Sequence, residues 1–323
     1  VSTTVRAAAK INLHLGVGAP REDGFHPLDT VYQAISLYDD VTVSTASSTP
    51  SSTASSTPNS TVSSTVAEDS LSVSGSSYVD VAGVPTDATN IALRALDEAR
   101  CGGAHLVEIA KQIPVAGGMA GGSADAAAAL LAHDRLHDLR QPDDVLLAQA
   151  ARLGSDVPFS LVGGTARGRG RGEVVEPIVD HGTWWWVVVP AAVGLSTPEV
   201  YRHFDRLHPD APAQPAEPTE LLAALARGEP VRLARALHND LQEAAVDLRP
   251  ELGDLIDRGE AGGALRGMVS GSGPTCVFLC DSQEGSAEVL AALSASYDVV
   301  LSAVGPVAGA HVVDMHQVGT GLR

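Results

Sequence analysis

The residues Ile113-Pro-Val-Ala-Gly-Gly-Met-Ala-Gly-Gly-Ser123 lie between a strand-like segment and a long alanine-rich run, and their composition suits the binding of an anion. Gly117, Gly118, Gly121 and Gly122 remove side chains where the backbone must turn tightly, so that main-chain N–H groups can converge on one acceptor. A helix starting near Ser123 would add unpaired N–H donors and the positive end of its dipole, and the whole reads as a phosphate cradle. It is not a Walker A loop, which needs Gly-Lys-Ser/Thr, and it lacks GxGxxG spacing. The bland alternative is a flexible glycine-rich connection.

Four further segments carry candidate chemistry. In Gly154-Ser-Asp-Val-Pro-Phe159 a carboxylate, Asp156, sits at a turn that proline stiffens, which suits a group that accepts a proton from a hydroxyl. The competing reading makes Asp156 the N-cap of a short helix. In Ala9-Lys10-Ile-Asn12 the period of two puts Lys10 and Asn12 on one strand face, where a cation and an amide are costly in a core and useful in a site. Arg21–His26 is a polar turn that sets Phe25 beside His26, or else plain loop surface. The turn Ser270-Gly-Ser-Gly273 leads into a strand and lets one backbone approach another closely. His133 and His137 are four apart, as metal ligands can be, but no third ligand is placed nearby, and a solvated helix face is the expectation. Gly168–Gly172, interleaved with arginines, reads as a hairpin turn, and Trp184–Trp186 as a buried strand.

The elements that must hold these groups follow from periodicity and turn residues. Strands are expected at Val5–Val17, Leu28–Leu37, Asp40–Val43, Asp69–Val73, Tyr78–Val81, His105–Ile113, Trp184–Val189, Ala264–Val269, Thr275–Cys280 and Ala310–Val313. Helices are expected at Asn90–Ala99 (capped by Asp87 or Thr89), Ala124–Leu139, Asp143–Leu153 (closed by Gly154 as a C′ glycine), Thr197–Leu207, Glu217–Arg227, Val231–Ala245, Glu251–Arg258 and Glu284–Leu293. Strands mixed with helices, without a steady βαβ rhythm, indicate an α+β chain. From Ser44 to Thr65 sixteen of 22 residues are Ser or Thr, which cannot bury enough apolar surface to offset ordering entropy, so a disordered insertion at a hairpin tip is expected.

The 323 residues suit two domains, divided here as 1–167 and 168–323. The longest apolar runs, such as Trp184–Ala192, are far too short to span a bilayer, and no signal-like segment precedes Asn12, so a cytoplasmic protein is expected. A net charge of −18 without a basic patch argues against nucleic acid as a partner. The cysteines Cys101, Cys276 and Cys280 read as buried thiols rather than metal or redox groups. Of 21 basic residues only Lys10 and Lys111 are lysine, which singles them out for roles that arginine fills poorly.

Taken in order, the lysine-bearing first strand, the loop Pro114–Ala124 and the turn Gly271–Gly273 resemble the galactokinase, homoserine kinase, mevalonate kinase and phosphomevalonate kinase superfamily. Within it, AKINLHLGV, Arg21–His26, GSDVPF and SGSGPTCVF resemble the kinases of a cytidine diphosphate sugar alcohol in isoprenoid precursor synthesis. The resemblance covers the chain apart from Ser44–Thr65. It implies an N-terminal domain like the second domain of ribosomal protein S5, a ferredoxin-like C-terminal domain, and an active site between them. It implies ATP as phosphoryl donor with Mg²⁺ and the 2-hydroxyl of a methylerythritol moiety as acceptor. Apart from the resemblance, the short apolar runs predict no membrane partner, and a monomer or weak homodimer is expected.

By the same resemblance Asp156 matches the catalytic aspartate and Lys10 its paired lysine. Pro114, Val115, Ala116, Gly117, Gly118, Met119, Ala120, Gly121, Gly122, Ser123 and Ala124 match the ATP loop. Asn12, Phe25, His26, Asp156 and Tyr201 match substrate contacts, with His26 on the cytosine and Phe25 and Tyr201 as aromatic walls. The family commonly has tyrosine where this chain has Phe25, so a contact through that hydroxyl is lost. Metal ligands are not assigned by the resemblance. Two rivals stand beside this reading: a kinase of another acceptor, such as homoserine or mevalonate, and a nucleotide-binding regulator without turnover.

Overall fold

The computed structural model describes residues 1–45, 69–99, 103–115, 117–191 and 194–316. The Ser/Thr-rich tract beyond Thr45, Cys101 and Ala116 lie outside the described residues. In chain order the elements are β1 (Ser2–Val17), β2 (Leu28–Thr45), β3 (Ser70–Gly75), α1 (Ile91–Ala99), β4 (His105–Lys111), α2 (Gly121–Leu136), α3 (Asp143–Leu153), α4 (Val157–Val162), β5 (Thr165–Gly170), β6 (Val174–Pro177) and β7 (Trp184–Val189). They continue as α5 (Thr197–Leu207), α6 (Thr219–Arg227), α7 (Pro230–Ala236), β8 (His238–Asn239), α8 (Gln242–Leu248), α9 (Glu251–Ala261), β9 (Arg266–Val269), β10 (Cys276–Cys280), α10 (Gln283–Ser294), β11 (Leu301–Gly305) and β12 (His311–His316). The α+β class expected from the sequence is the observed one. No helix among the described residues is long and apolar enough to cross a membrane.

The first sheet runs β12-β1-β2-β4-β3, with β5 on β2, β6 on β5, and β8 on β1. What the sequence divides into Leu28–Leu37 and Asp40–Val43 is one bent strand. Its register against β1 slips between Ala8 and Ala9, so Leu28–Gln33 pairs with β5 while Asp40–Thr45 pairs with β4. Such a bulge bends a strand and lets it serve two neighbours. The expected division after residue 167 therefore falls inside β5, and β12 brings the chain's end back to the first sheet.

The second sheet has the order β11-β7-β10-β9, all antiparallel. With helices between β7 and β9 and between β10 and β11, this is the ferredoxin-like arrangement that the resemblance implied. Trp184 and Trp186 are buried on it, as expected. The Trp186 indole donates 2.9 Å to Gln33 Oε1 on β2, tying the two sheets together across the apolar interior.

Helix α2 is buried almost all round: Ala124, Ala126–Ala129 and Ala132 are wholly inaccessible. It packs on β1 and β2 on one side and on α1 and α4 on others, and only alanine lets so many backbones approach one helix. Four expectations fail locally. Tyr78–Val81 is not a strand, because Val79 N–H closes a turn onto Ser76 O. The predicted helix 231–245 breaks around β8, where Asn239 donates to the carbonyls of Val269 and Gly271 at 2.8 Å each, bonds that a continuous helix would forfeit. The carboxamide of Asn90, not Asp87 or Thr89, accepts from Ala92 N–H and caps α1. Gly154 ends α3 with extended rather than left-handed backbone.

Candidate active site

Between the sheets opens a cleft of about 790 Å³, within the range of small-molecule sites. One wall is the glycine loop. Ala120 adopts left-handed backbone (φ 56°), and α2 starts at Gly121, two residues before the expected Ser123. The first helical bond runs from Ala124 N–H to Ala120 O, so the N–H groups of Gly121, Gly122 and Ser123 precede the helical ladder and have no backbone partner among the described residues, which suits an anion. Gly118 (φ 74°) passes so near the turn Ser270–Gly273 that a Cβ there would lie 2.5 Å from Ser270 O; one on Gly117 would lie 2.6 Å from Thr275 Oγ1. The close approach expected of the second glycine turn is thus present. Gly117, Gly118, Ala120, Gly121 and Gly122 line the cleft. Pro114, Met119 and Ala124 are buried, Val115 is exposed, Ser123 is half-buried, and Ala116 is not described.

Lys10 and Asn12 stand on one face of β1, as the strand period requires. Lys10 Nζ donates to Asn12 Oδ1 at 2.8 Å, Asn12 Nδ2 donates to Thr30 Oγ1 at 2.8 Å, and Thr30 Oγ1 donates to His14 O at 2.6 Å. This chain of bonds leaves the buried ammonium aimed at Asp156, whose Oδ2 is 3.6 Å away. Asp156 occupies the N-cap position of α4, yet its side chain makes no capping bond and faces the cleft instead. Tyr32, opposite Asn12 in the register, lies beneath the pair with its ring centre 5.6 Å from Lys10 Nζ. Burial, the Asp156 charge and a bond to that carboxylate hold the Tyr32 phenol well above its ordinary range.

The far end of the cleft gathers Phe25, His26 and Tyr201. The His26 and Tyr201 ring centres are 4.9 Å apart, and His26 Nε2 is bonded to Asp205 Oδ1 at 2.8 Å. Phe25 is exposed, and the Arg171 guanidinium lies 5.3 Å over its ring. Although the chain carries −18 overall, Lys10, Arg171 and Arg202 face this cleft against Asp156 and Asp205, a local balance that suits phosphates.

The other lysine works beneath the loop. Lys111 Nζ donates to Asp39 Oδ2 and Asp125 Oδ2 at 2.6 Å each, all three groups being buried. Asp39 Oδ1 also accepts from Gln112 and Ile113 N–H, which fixes the backbone entering the glycine loop. With one cation for two carboxylates, burial holds the Asp125 carboxyl well above the usual range, and the Asp39 charge adds to it. Asp39 differs from Asp125 in accepting from two backbone N–H groups as well as from the lysine.

Sequence reasoning missed Tyr32, Arg202 and Asp205. Asp205 is four residues after Tyr201 on α5, a spacing that would have placed both on one face; Tyr32 needed the strand register. The expectation for His133 and His137 also fails. His133 is wholly buried, and the first residue of β4 supplies a third imidazole, His105. Cys276 and Cys280 are buried free thiols, as expected, and burial pushes Cys276 up to about 12.

A glycine loop feeding a helix N-terminus, placed between two mixed sheets and facing a lysine–aspartate pair, is the build of a GHMP-type small-molecule kinase. Residues 88–164 match the model of the GHMP kinases N terminal domain and residues 221–299 that of the GHMP kinases C terminal. The chain is 60% identical over 317 residues to a 4-diphosphocytidyl-2-C-methyl-D-erythritol kinase of Nocardioides sp., covering 96% of this chain and 99% of that one. To the protein of that name from Thermobifida fusca it is 50% identical, covering 97% and 98%. A crystal structure of a 4-(cytidine 5'-diphospho)-2C-methyl-D-erythritol kinase superposes with a TM-score of 0.70 at 30% identity, covering 94% of this chain and 98% of that one. A homoserine kinase from Cytophaga hutchinsonii, at 17% identity and a TM-score of 0.67, shares the fold. The chain belongs to the GHMP kinases and, within them, to the 4-diphosphocytidyl-2-C-methyl-D-erythritol kinase family.

Proposed function

We propose that the chain moves the γ-phosphoryl group of ATP to the 2-hydroxyl of 4-diphosphocytidyl-2-C-methyl-D-erythritol, the kinase step of non-mevalonate isoprenoid precursor synthesis, with Lys10 and Asp156 as the catalytic pair. One observation carries the residue roles: Asp156 lies 3.6 Å from Lys10, facing a cleft that has the glycine loop on one side and His26 with Tyr201 on the other.

Phosphoryl transfer asks a protein mainly for position and charge. The N–H groups of Gly121, Gly122 and Ser123 hold the β- and γ-phosphates at the start of α2. Asp156 accepts the hydrogen bond of the acceptor hydroxyl and then its proton, as the hydroxyl oxygen bonds to the γ-phosphorus and the bond to the β–γ bridging oxygen breaks to release ADP. Lys10 orients Asp156 across 3.6 Å and offsets charge on the transferring group. Phe25 and Tyr201 flank the cytosine and His26 bonds to it, which requires His26 to share or release Asp205.

Mg²⁺ fits this donor set, because a hard ion that keeps its waters needs only one or two carboxylates beside phosphate oxygens, and Asp156 and Asp205 line the cleft. Asp156 is the group that would help hold it, and the ion would supply neutralisation of the phosphate charge. Dependence on ATP agrees with a cytoplasmic setting.

The test is ADP release measured with three acceptors: the cytidine diphosphate methylerythritol, mevalonate and homoserine. Turnover with the first alone supports the proposal. Preference for either of the others overturns it, and nucleotide binding without turnover on any acceptor favours a regulator.

A further inference from the structure

At the end of α2 opposite the glycine loop, roughly 18 to 24 Å away by helix rise, three imidazoles converge. His133 on the last turn of α2 and His137 at its C-cap lie four residues apart, and His105 opens β4 beside them. The ring centres are 4.6 to 5.2 Å apart, and one nitrogen from each ring lies within 4.8 Å of those of the other two. His105 and His133 are buried, while His137 is half-buried, which leaves the cluster an approach from solvent.

We propose that His105, His133 and His137 form a binding site for a borderline divalent transition metal of the zinc type, separate from the kinase cleft. The first argument is the tautomer of His105. Asp69 Oδ1 accepts from His105 N–H at 2.7 Å and from its Nδ1–H at 3.2 Å, and an ionised carboxylate only accepts. Nδ1 therefore carries the proton, and Nε2 presents its lone pair to the other rings. A carboxylate behind a ligating histidine is the usual outer partner of a metal site.

The second argument is distance. His105 Nε2 and His137 Nε2 are 2.9 Å apart, a separation at which one proton is shared between two nitrogens. With metal–nitrogen bonds of about 2.0 to 2.1 Å, that pair subtends about 90° at an ion, and an opening of roughly 0.4 Å reaches the tetrahedral angle. The third argument is charge: the carbonyl end of α2 favours a cation, and neutral imidazoles suit zinc, nickel or copper over magnesium. A metal here would clamp the start of β4 to the end of the helix whose other end carries the phosphate loop.

The test uses the whole chain, stripped with a chelator and desalted, titrated calorimetrically with ZnCl₂ in the absence of nucleotide and followed by its melting temperature. The expected result is one equivalent bound and a melting temperature raised by several degrees, with MgCl₂ doing neither. His137→Gln, at a half-buried position, should abolish that equivalent and the thermal shift without changing kcat. Asp69→Asn should weaken zinc about 10- to 100-fold. His238→Asn controls for the separate His14–His238 pair, whose ring centres are 5.3 Å apart. Failure to bind zinc, or zinc that survives His137→Gln or is lost in His238→Asn, overturns the proposal and leaves a hydrogen-bonded imidazole cluster.

Discussion

Lys10 Nζ and Asp156 Oδ2 lie 3.6 Å apart across the cleft, although 145 residues separate them in the chain. The lysine is buried and held by Asn12, while the aspartate sits at a helix start without capping it. The side chain thus faces Lys10 rather than the backbone N–H groups from which a capping carboxylate would accept.

Asp156→Asn should therefore keep the melting temperature and the affinity for ATP while kcat falls on the order of 10² to 10⁴, the usual cost of losing a positioned base. Rate, nucleotide affinity and thermal unfolding of one purified variant decide it. A fall in kcat below about tenfold with the fold intact removes Asp156 from catalysis.

His26→Ala should raise KM for the cytidine substrate far more than KM for ATP. The loss of a hydrogen bond to a buried partner costs about 1 to 3 kcal/mol, or roughly 5- to 150-fold. Equal changes in the two constants would make the His26–Asp205 bond purely structural.

Gly118→Ala should abolish ATP binding more than it harms folding. The new methyl meets Ser270 O at 2.5 Å on a backbone with φ 74°, so the loop or the facing turn must move. Gly103→Ala serves as the control, because its Cβ would meet nothing within 4 Å and it lies outside the cleft. Titration with a non-hydrolysable ATP analogue separates the two; similar affinities would show that the close approach is not needed.

Lys111→Met should destabilise the protein by about 3 to 5 kcal/mol in urea unfolding, because it strands two buried carboxylates. A loss under about 1 kcal/mol would mean that the triad relaxes into water.

Asp125→Asn tests the proton held in that triad. A carboxyl whose folded pKa is raised stabilises the native state fully below its unfolded pKa, and this contribution is lost as pH rises through the folded value. From pH 5 to 8 the wild-type urea midpoint should therefore fall relative to that of the variant, which mimics the protonated acid at every pH. A constant offset between the two proteins would count against a raised Asp125.

Much of this was legible in the residue string because it is local. Strand period places Lys10 with Asn12, glycine and proline punctuate the loops, and the ends of α3, α5 and β7 coincide with those expected from pattern alone. The glycine loop between a strand and a strong helix was legible too, and the structure places it on the wall of the cleft.

What pattern could not supply was pairing between distant segments. The bend in β2 depends on two partners competing for one strand, and the break at β8 depends on carbonyls some thirty residues further along. Lys111 was conspicuous by its rarity, but its work became visible only when Asp39 and Asp125 closed on it. His133 and His137 looked like a wet helix face because helical spacing shows which residues share a face, never what the rest of the chain lays against it. Composition and period determined the elements and the chemistry on offer; burial, register and the meeting of charges depend on contacts hundreds of bonds apart along the chain, and those the tertiary structure alone decided.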